Sequence, residues 1–222
     1  MSPQSISDYS AERMNLLLLH GLGRDEKSWD GVVSLLPEEW SIERPALRDL
    51  MDEGFTYEAL YKNLRDTVEE RGAPTAVCGL SLGAVLALNL SFDAPALVSS
   101  LILIAPQFQM PKGTLKLQSL LFRLMPNRAF EEIGLPKKGM IALTDSMARL
   151  DFTDRLDRVK CPALILCGER DRVNKKAAER LGDRLQNSES ALVPGAGHEA
   201  NLDNPRALAE LILQTLSSRT YD

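Results

Sequence analysis

In Ala76-Val77-Cys78-Gly79-Leu80-Ser81-Leu82-Gly83-Ala84 a short apolar run meets a serine between two glycines and passes at once into a helical pattern. Gly79-Leu80-Ser81-Leu82-Gly83 is a GxSxG sequence. A serine at so tight a strand-to-helix turn is held in strained backbone geometry that pushes its hydroxyl into solvent. Glycines on both sides omit side chains where neighbouring backbone must pass close. The pattern recurs by chance in chains of this size, so its meaning depends on partners elsewhere: a base for the hydroxyl and an acid to orient that base.

Outward from the serine, the chain alternates short apolar runs with helical patterns. Residues 14–19 (Met-Asn-Leu-Leu-Leu-Leu), 101–105 and 163–167 are apolar without alternation, as strands buried on both faces are, and 74–78 is the strand leading to the serine. Residues 40–44 and 190–193 are further strand candidates. Helices are expected over 26–36, 56–71, 82–92, 174–186 and 205–216, the last opened by Pro205, whose missing N–H is harmless in a first turn. Such alternation predicts an α/β fold, a mainly parallel sheet of about six strands with helices on both faces. In such sheets ligands gather at the carboxyl ends of the strands. Residues 1–13 read as a loosely ordered arm. Residues 107–152 hold no strand pattern and suggest helices broken at Pro111, Pro126, Gly134 and Pro136. The expected organisation is a core of residues 1–106 and 153–222 with a helical cap inserted over 107–152.

The chain has two histidines. His20 lies in the glycine loop after the first strand, and His198 in Pro194-Gly195-Ala196-Gly197-His198 after the last. Acids follow the strand that ends at Cys167, in Gly168-Glu169-Arg170-Asp171-Arg172, while Asp154, Asp157 and Asp203 are nearby competitors. Asp203, ahead of Asn204-Pro205, reads as part of the last helix's cap.

Taken together, His20-Gly21-Leu22-Gly23, the Ser81 elbow, Gly168-x-x-Asp171 and Gly195-x-Gly197-His198 resemble the α/β-hydrolase family over nearly the whole length of the chain. In that family nucleophile, acid and base run Ser, Asp/Glu, His in chain order. The resemblance implies a small cytoplasmic serine hydrolase with a short helical cap, in which Ser81 is the nucleophile, His198 the general base and then acid, and Asp171 the orienter of the imidazole. Backbone N–H groups of Leu22 and Leu82 would form the oxyanion hole. Gly21, Gly23, Gly79 and Gly83 would support these loops, and His20 would tie down the oxyanion loop rather than transfer protons. Many members begin with a two-strand hairpin before the His-Gly strand, so the sheet is expected to be trimmed at its start.

The implied reaction is cleavage of a small ester or related acyl compound through an acyl-enzyme. C–C bond hydrolysis, lyase chemistry or acyl transfer on the same triad, and a non-catalytic ligand-sensing or partner-binding protein that keeps the scaffold, are the alternatives. No cofactor and no metal is implied: Gly21-x-Gly23 lacks the third glycine of a dinucleotide fingerprint, and no GxxxxGK[ST] loop exists.

A net charge of −5 argues against a nucleic-acid binder. No apolar run approaches the length of a membrane span or signal segment, and Cys78, Cys161 and Cys167 have no paired metal spacing, so a cytoplasmic protein with reduced core thiols is expected. It would act as a monomer or homodimer on a small-molecule substrate. Residues 107–150 carry Lys112, Lys116, Arg123, Arg128, Lys137, Lys138 and Arg149 against Glu131, Glu132 and Asp145, a net +4 within an acidic chain. This is either a solvated helical surface or a lid that attracts anionic substrates or lies against an acidic surface. Met110, Met125, Met140 and Met147 read as gap-filling residues between cap and core.

Overall fold

The structure, a computed structural model, describes residues 14–52, 54–130 and 135–217. The expected N-terminal arm and the break at Gly134 lie outside the described residues. Six strands form one sheet: β1 (Asn15–Leu19), β2 (Ser41–Glu43), β3 (Thr75–Leu80), β4 (Val98–Ile104), β5 (Ala163–Gly168) and β6 (Ser188–Val193). Their order is β2-β1-β3-β4-β5-β6, and every pairing is parallel. Leu19 pairs with Gly79 and Gly79 with Leu103, so β3 sits in the interior of the sheet.

Both faces are buried, which explains the unbroken apolar runs. Leu17, Leu19, Val77, Leu101, Leu103 and Ile165 enter one core with Leu60 and Leu64 of α2 (Tyr57–Arg71), Val85 and Leu88 of α3 (Leu82–Asp93) and Leu181 of α6 (Lys175–Gly182). Their alternates Leu16, Leu18, Cys78, Ile102, Ile104 and Leu164 enter the other, with Val32 of α1 (Asp30–Val33), Ala200 of α7 (Ala200–Asp203) and Leu208 and Ile212 of α8 (Pro205–Ser217). Alternation along each strand thus feeds two layers of helix.

Local rules set the ends of these elements. Thr56 accepts from Ala59 N at the start of α2, and Gly72, at φ 64°, ends it in the left-handed conformation that glycine adopts without strain. The helix expected over 26–36 is instead a 3₁₀ turn, Glu26–Trp29, followed by the single turn α1. The helix expected over 174–186 stops at Gly182, where a Cβ would lie 2.6 Å from Ser190 Oγ. Asp203 does not cap α8. Asn204 does, its Oδ1 accepting from Ala207 N, while the Asp203 carboxylate accepts from Gly197 N at 2.6 Å.

Between β4 and β5 lie α4 (Lys112–Leu124), a 3₁₀ turn Asn127–Phe130 and α5 (Lys137–Met147). An isolated antiparallel bridge, Gln109 to Asp151, joins the two ends of this segment. Lys137 Nζ donates to the carbonyls of Arg123 and Met125, satisfying the C-terminal end of α4. Met110, Met140 and Met147 are buried as expected, whereas Met125 is exposed.

Candidate active site

Ser81 sits between β3 and α3 with φ 54° and ψ −110°, a conformation that non-glycine residues rarely hold. The turn is fixed from both sides: Ser81 N donates to Ile104 O at 2.9 Å, and Val85 N donates to Ser81 O at 3.1 Å. Its side chain makes no capping bond to α3, so the hydroxyl is not spent on the helix it precedes. The two motif glycines are sterically required. A Cβ on Gly79 would lie 2.2 Å from Gly83 O, and one on Gly83 would lie 2.1 Å from Leu19 O. The offending atoms are backbone apart from the Leu19 Cβ, which is fixed to the backbone, so no rotamer change relieves the clash.

The loop after β1 reaches the serine. A Cβ on Gly21 would lie 3.7 Å from Ser81 Cβ, in ordinary contact. Leu82 opens α3, so its N–H belongs to the helix-terminal donors that have no intrahelical acceptor. His20 is buried and bonded at both ring nitrogens. Nδ1 lies 2.9 Å from Gly21 O and Nε2 accepts from Leu47 N at 3.1 Å, which defines a neutral ring protonated at Nδ1. Burial lowers its pKa below the ordinary histidine value, against smaller opposing contributions from the Gly21 carbonyl and from Asp25 and Glu26. Such a ring holds the loop and has no free nitrogen for proton transfer.

Asp171 and His198 meet. With Nδ1 protonated, His198 donates to Asp171 Oδ2 at 2.9 Å, the carboxylate side chain being 3% exposed and the imidazole 43%. The meeting depends on Gly168, at the end of β5, where a Cβ would lie 1.9 Å from Gly197 O. The histidine loop is further held by Arg170 N to Ala196 O at 2.8 Å and by Gly195 N to Glu169 Oε2 at 2.7 Å. Glu169, one of the competing acids, therefore serves the loop backbone. An ion pair of Arg24 with Glu199 joins the loop after β1 to the residue following His198. Among the described residues no hydrogen bond joins Ser81 to His198.

One site residue had no place in the sequence reading. Asn174 gives Asp171 two bonds, from its backbone N to Oδ1 at 3.1 Å and from Nδ2 to Oδ2 at 2.8 Å, and Val173 N adds a third at 3.2 Å. Gln107 Nε2 donates to Asn174 Oδ1 at 2.8 Å, which fixes the amide with its nitrogen toward the carboxylate. Asn174 Nδ2 also lies 3.0 Å from His198 Nδ1. With the imidazole proton directed at Oδ2 these are two donors converging on one acceptor, not a bond between them. Burial alone would raise the pKa of Asp171, but the bonds from His198 and Asn174 outweigh it and hold the carboxyl below its ordinary value. An asparagine before a helix reads as an N-cap, and that reading conceals it. Here the side chain makes no capping bond, because it serves Asp171 instead.

A second group of side chains flanks the loop after β1. Phe130, Leu135 and Met140 form a cluster against which Leu22, Met51 and Phe55 pack. A cavity of about 760 Å³ is lined by Phe130, Leu135 and Ile141 together with Asn127, Lys137 and Lys138. No group of three or more His, Cys, Asp or Glu side chains able to hold a metal occurs among the described residues.

A parallel six-strand sheet with a serine elbow after the third strand and an acid–imidazole pair after the fifth and sixth is the architecture of a hydrolase scaffold. The chain belongs to the alpha/beta hydrolase family, whose model matches residues 16–211. RutD of Escherichia coli, a protein named as a candidate carbamate hydrolase, is 22% identical over 91% of this chain and 91% of its own. Two solved structures are also similar. The thermophilic esterase of Thermogutta terrifontis has TM-score 0.78 and 22% identity, covering 92% of this chain and 90% of its own. The enol-lactonase of Burkholderia xenovorans LB400 has TM-score 0.80 and 17% identity, covering 93% of this chain and 92% of its own.

Proposed function

We propose that the protein is a serine hydrolase acting on a small ester or related acyl compound, with Ser81, His198 and Asp171 as its triad. The observation that carries this reading is the 2.9 Å contact between His198 Nδ1 and the buried Asp171 carboxylate. It commits the imidazole proton to Nδ1 and leaves Nε2 unprotonated, the tautomer a general base requires. Ser81 Oγ attacks the acyl carbon while Nε2 takes its proton. The developing oxyanion is received by the N–H groups of Leu22 and Leu82, and each such donor is worth about 3 kcal/mol in the transition state. The imidazolium then protonates the leaving oxygen. A water, deprotonated by Nε2, attacks the acyl-enzyme and releases acid and free Ser81. Serine and base are often further apart in empty sites than during reaction, so the missing Ser81–His198 bond is compatible with this sequence of steps.

In this reading residues 107–152 form a cap, and the Phe130–Leu135–Met140 cluster beside Leu22 forms an apolar wall for the acyl group. Fluorophosphonate labelling together with a panel of p-nitrophenyl esters of graded chain length tests the proposal. Stoichiometric labelling and turnover, both lost in Ser81→Ala and in His198→Ala, are expected. Folded wild-type protein that neither labels nor hydrolyses any member of the panel would refute it.

A further inference from the structure

Helix α4 carries its apolar residues on the wrong side for a helix that only packs. At about 100° per residue, Leu115, Ser119 and Phe122 share one face. Leu115 and Phe122 pack against the core clusters, and Ser119 is 3% exposed. Leu117, Leu120, Leu121 and Leu124 lie on the opposite face, at 57%, 52%, 52% and 76% exposure, and Met125 continues the stripe at 37%. Four leucines at i, i+3, i+4 and i+7 thus point directly away from the protein body. A stripe of this kind is rare on an isolated monomer unless something covers it.

The charges beside the stripe select the occupant. The α4 sequence contains Lys112, Lys116 and Arg123 and no acid, and Arg128 follows in the next turn. Lys116, Arg123 and Arg128 are exposed. Arg123 pairs with Asp145 at 3.0 Å. A second copy meeting stripe to stripe would bring two cationic helices together. A copy meeting the stripe with its more acidic body would make a heterologous contact that does not close on itself. An acidic protein surface would satisfy the lysine and arginines but offer the leucines little apolar area. An anionic lipid surface satisfies both, since a helix with outward leucines and flanking cations lies in the headgroup boundary with its apolar face in the acyl layer. Among the described residues no helix is long and apolar enough to cross a membrane, so the contact would be peripheral.

We infer that α4 docks the protein on anionic lipid bilayers through Leu117, Leu120, Leu121 and Leu124. The test is co-sedimentation of the full chain with vesicles of phosphatidylcholine alone and of phosphatidylcholine mixed with phosphatidylglycerol, with circular dichroism melts confirming that each variant folds. Wild-type protein should bind the anionic vesicles at least about tenfold more tightly than the neutral ones. Leu117→Gln/Leu121→Gln/Leu124→Gln should weaken anionic binding by about tenfold or more. Lys116→Glu should weaken it about fivefold, and added salt should weaken it further. Wild-type protein that stays in the supernatant with both vesicle types overturns the inference. So does binding that depends on Lys116 but not on the leucines, which marks an acidic macromolecule as the occupant. Sedimentation velocity showing a dimer that the triple variant dissolves, without vesicle binding, would assign the stripe to a second copy.

Discussion

Replacing Gly168 by alanine is expected to separate the acid from the base without touching either. The added Cβ would meet Gly197 O at 1.9 Å and Ala196 O at 2.6 Å, both backbone atoms of the loop that presents His198. Relief to an ordinary contact of 3.4 Å requires the loop to retreat by about 1.5 Å at its nearest point. Even part of that movement carries the 2.9 Å bond between His198 and Asp171 beyond hydrogen-bonding reach. A misplacement of about 1 Å in a catalytic group costs about 10²-fold in rate, so kcat/KM for a p-nitrophenyl ester should fall at least that far. The control is Gly195→Ala in the same loop, where φ is +64° and nothing lies within 4 Å of the added carbon. That variant carries only backbone strain, about 1–2 kcal/mol of stability, and should keep kcat/KM within a few-fold of wild type. Urea unfolding and ester kinetics on both variants supply the two readouts. Full activity in folded Gly168→Ala would refute the argument that this close approach positions the imidazole.

Asp171→Asn should preserve the fold and lower kcat by about 10⁴, because an amide no longer stabilises the imidazolium and admits the wrong tautomer; ester kinetics decide. Asn174→Ala removes the 2.8 Å bond to Asp171 Oδ2 while leaving both backbone N–H bonds to Oδ1. It should lower kcat about tenfold with KM nearly unchanged, as a loss of about 1.4 kcal/mol in orientation would, and a change confined to KM would contradict it. For His20 the folded pKa lies below the ordinary value near 6.5, so the unfolded chain takes up a proton first on acidification. Stability present above that value is lost as pH falls through it toward the folded pKa. Urea unfolding at pH 7.5 and pH 5 should therefore show a larger loss for wild type than for His20→Gln, and equal losses would exclude a buried neutral ring.

The sheet was legible because burial on both faces removes the need for alternation, and residues 16–19, 101–104 and 163–167 carry that signature in sequence alone. The elbow was legible for a different reason. Gly79 and Gly83 are excluded from carrying a side chain by backbone contact at 2.2 Å and 2.1 Å, and a constraint that absolute leaves its mark in composition. Short elements were read less well. The single-turn α1 follows a 3₁₀ turn because Trp29 and Val32 are fixed by packing under α8, a constraint that local periodicity does not carry. Asn174 was hidden because its backbone position is that of a helix cap while its side chain answers to a carboxylate three residues earlier. The outward face of α4 was hidden too. Periodicity gives the width of an apolar stripe but not which side of the helix the body occupies, and here Leu115 and Phe122 claim one side while the leucines hold the other.

Strand order explains why so much of the loop chemistry serves position. β3 and β6 are three strand intervals apart, about 14 Å at the usual spacing, so the proposed triad requires that His198 be carried back across the sheet toward Ser81. β5 supplies the first stage through Gly168, Glu169, Arg170 and Asp171, each in contact with the loop that follows β6. The Arg24–Glu199 pair supplies the second. Arg24 follows β1 and Glu199 follows His198, and β3 lies between β1 and β6, so the pair spans the strand end that bears the serine. Both partners are partly exposed, at 46% and 29%, and an ion pair so placed adds little to stability. Its consequence is geometric: it ties the loop that follows β1 to the loop that holds the imidazole, across a separation of 175 residues in the chain. A site assembled in this way exists only once the sheet has formed, which is why its parts are scattered through the sequence at the ends of four different strands.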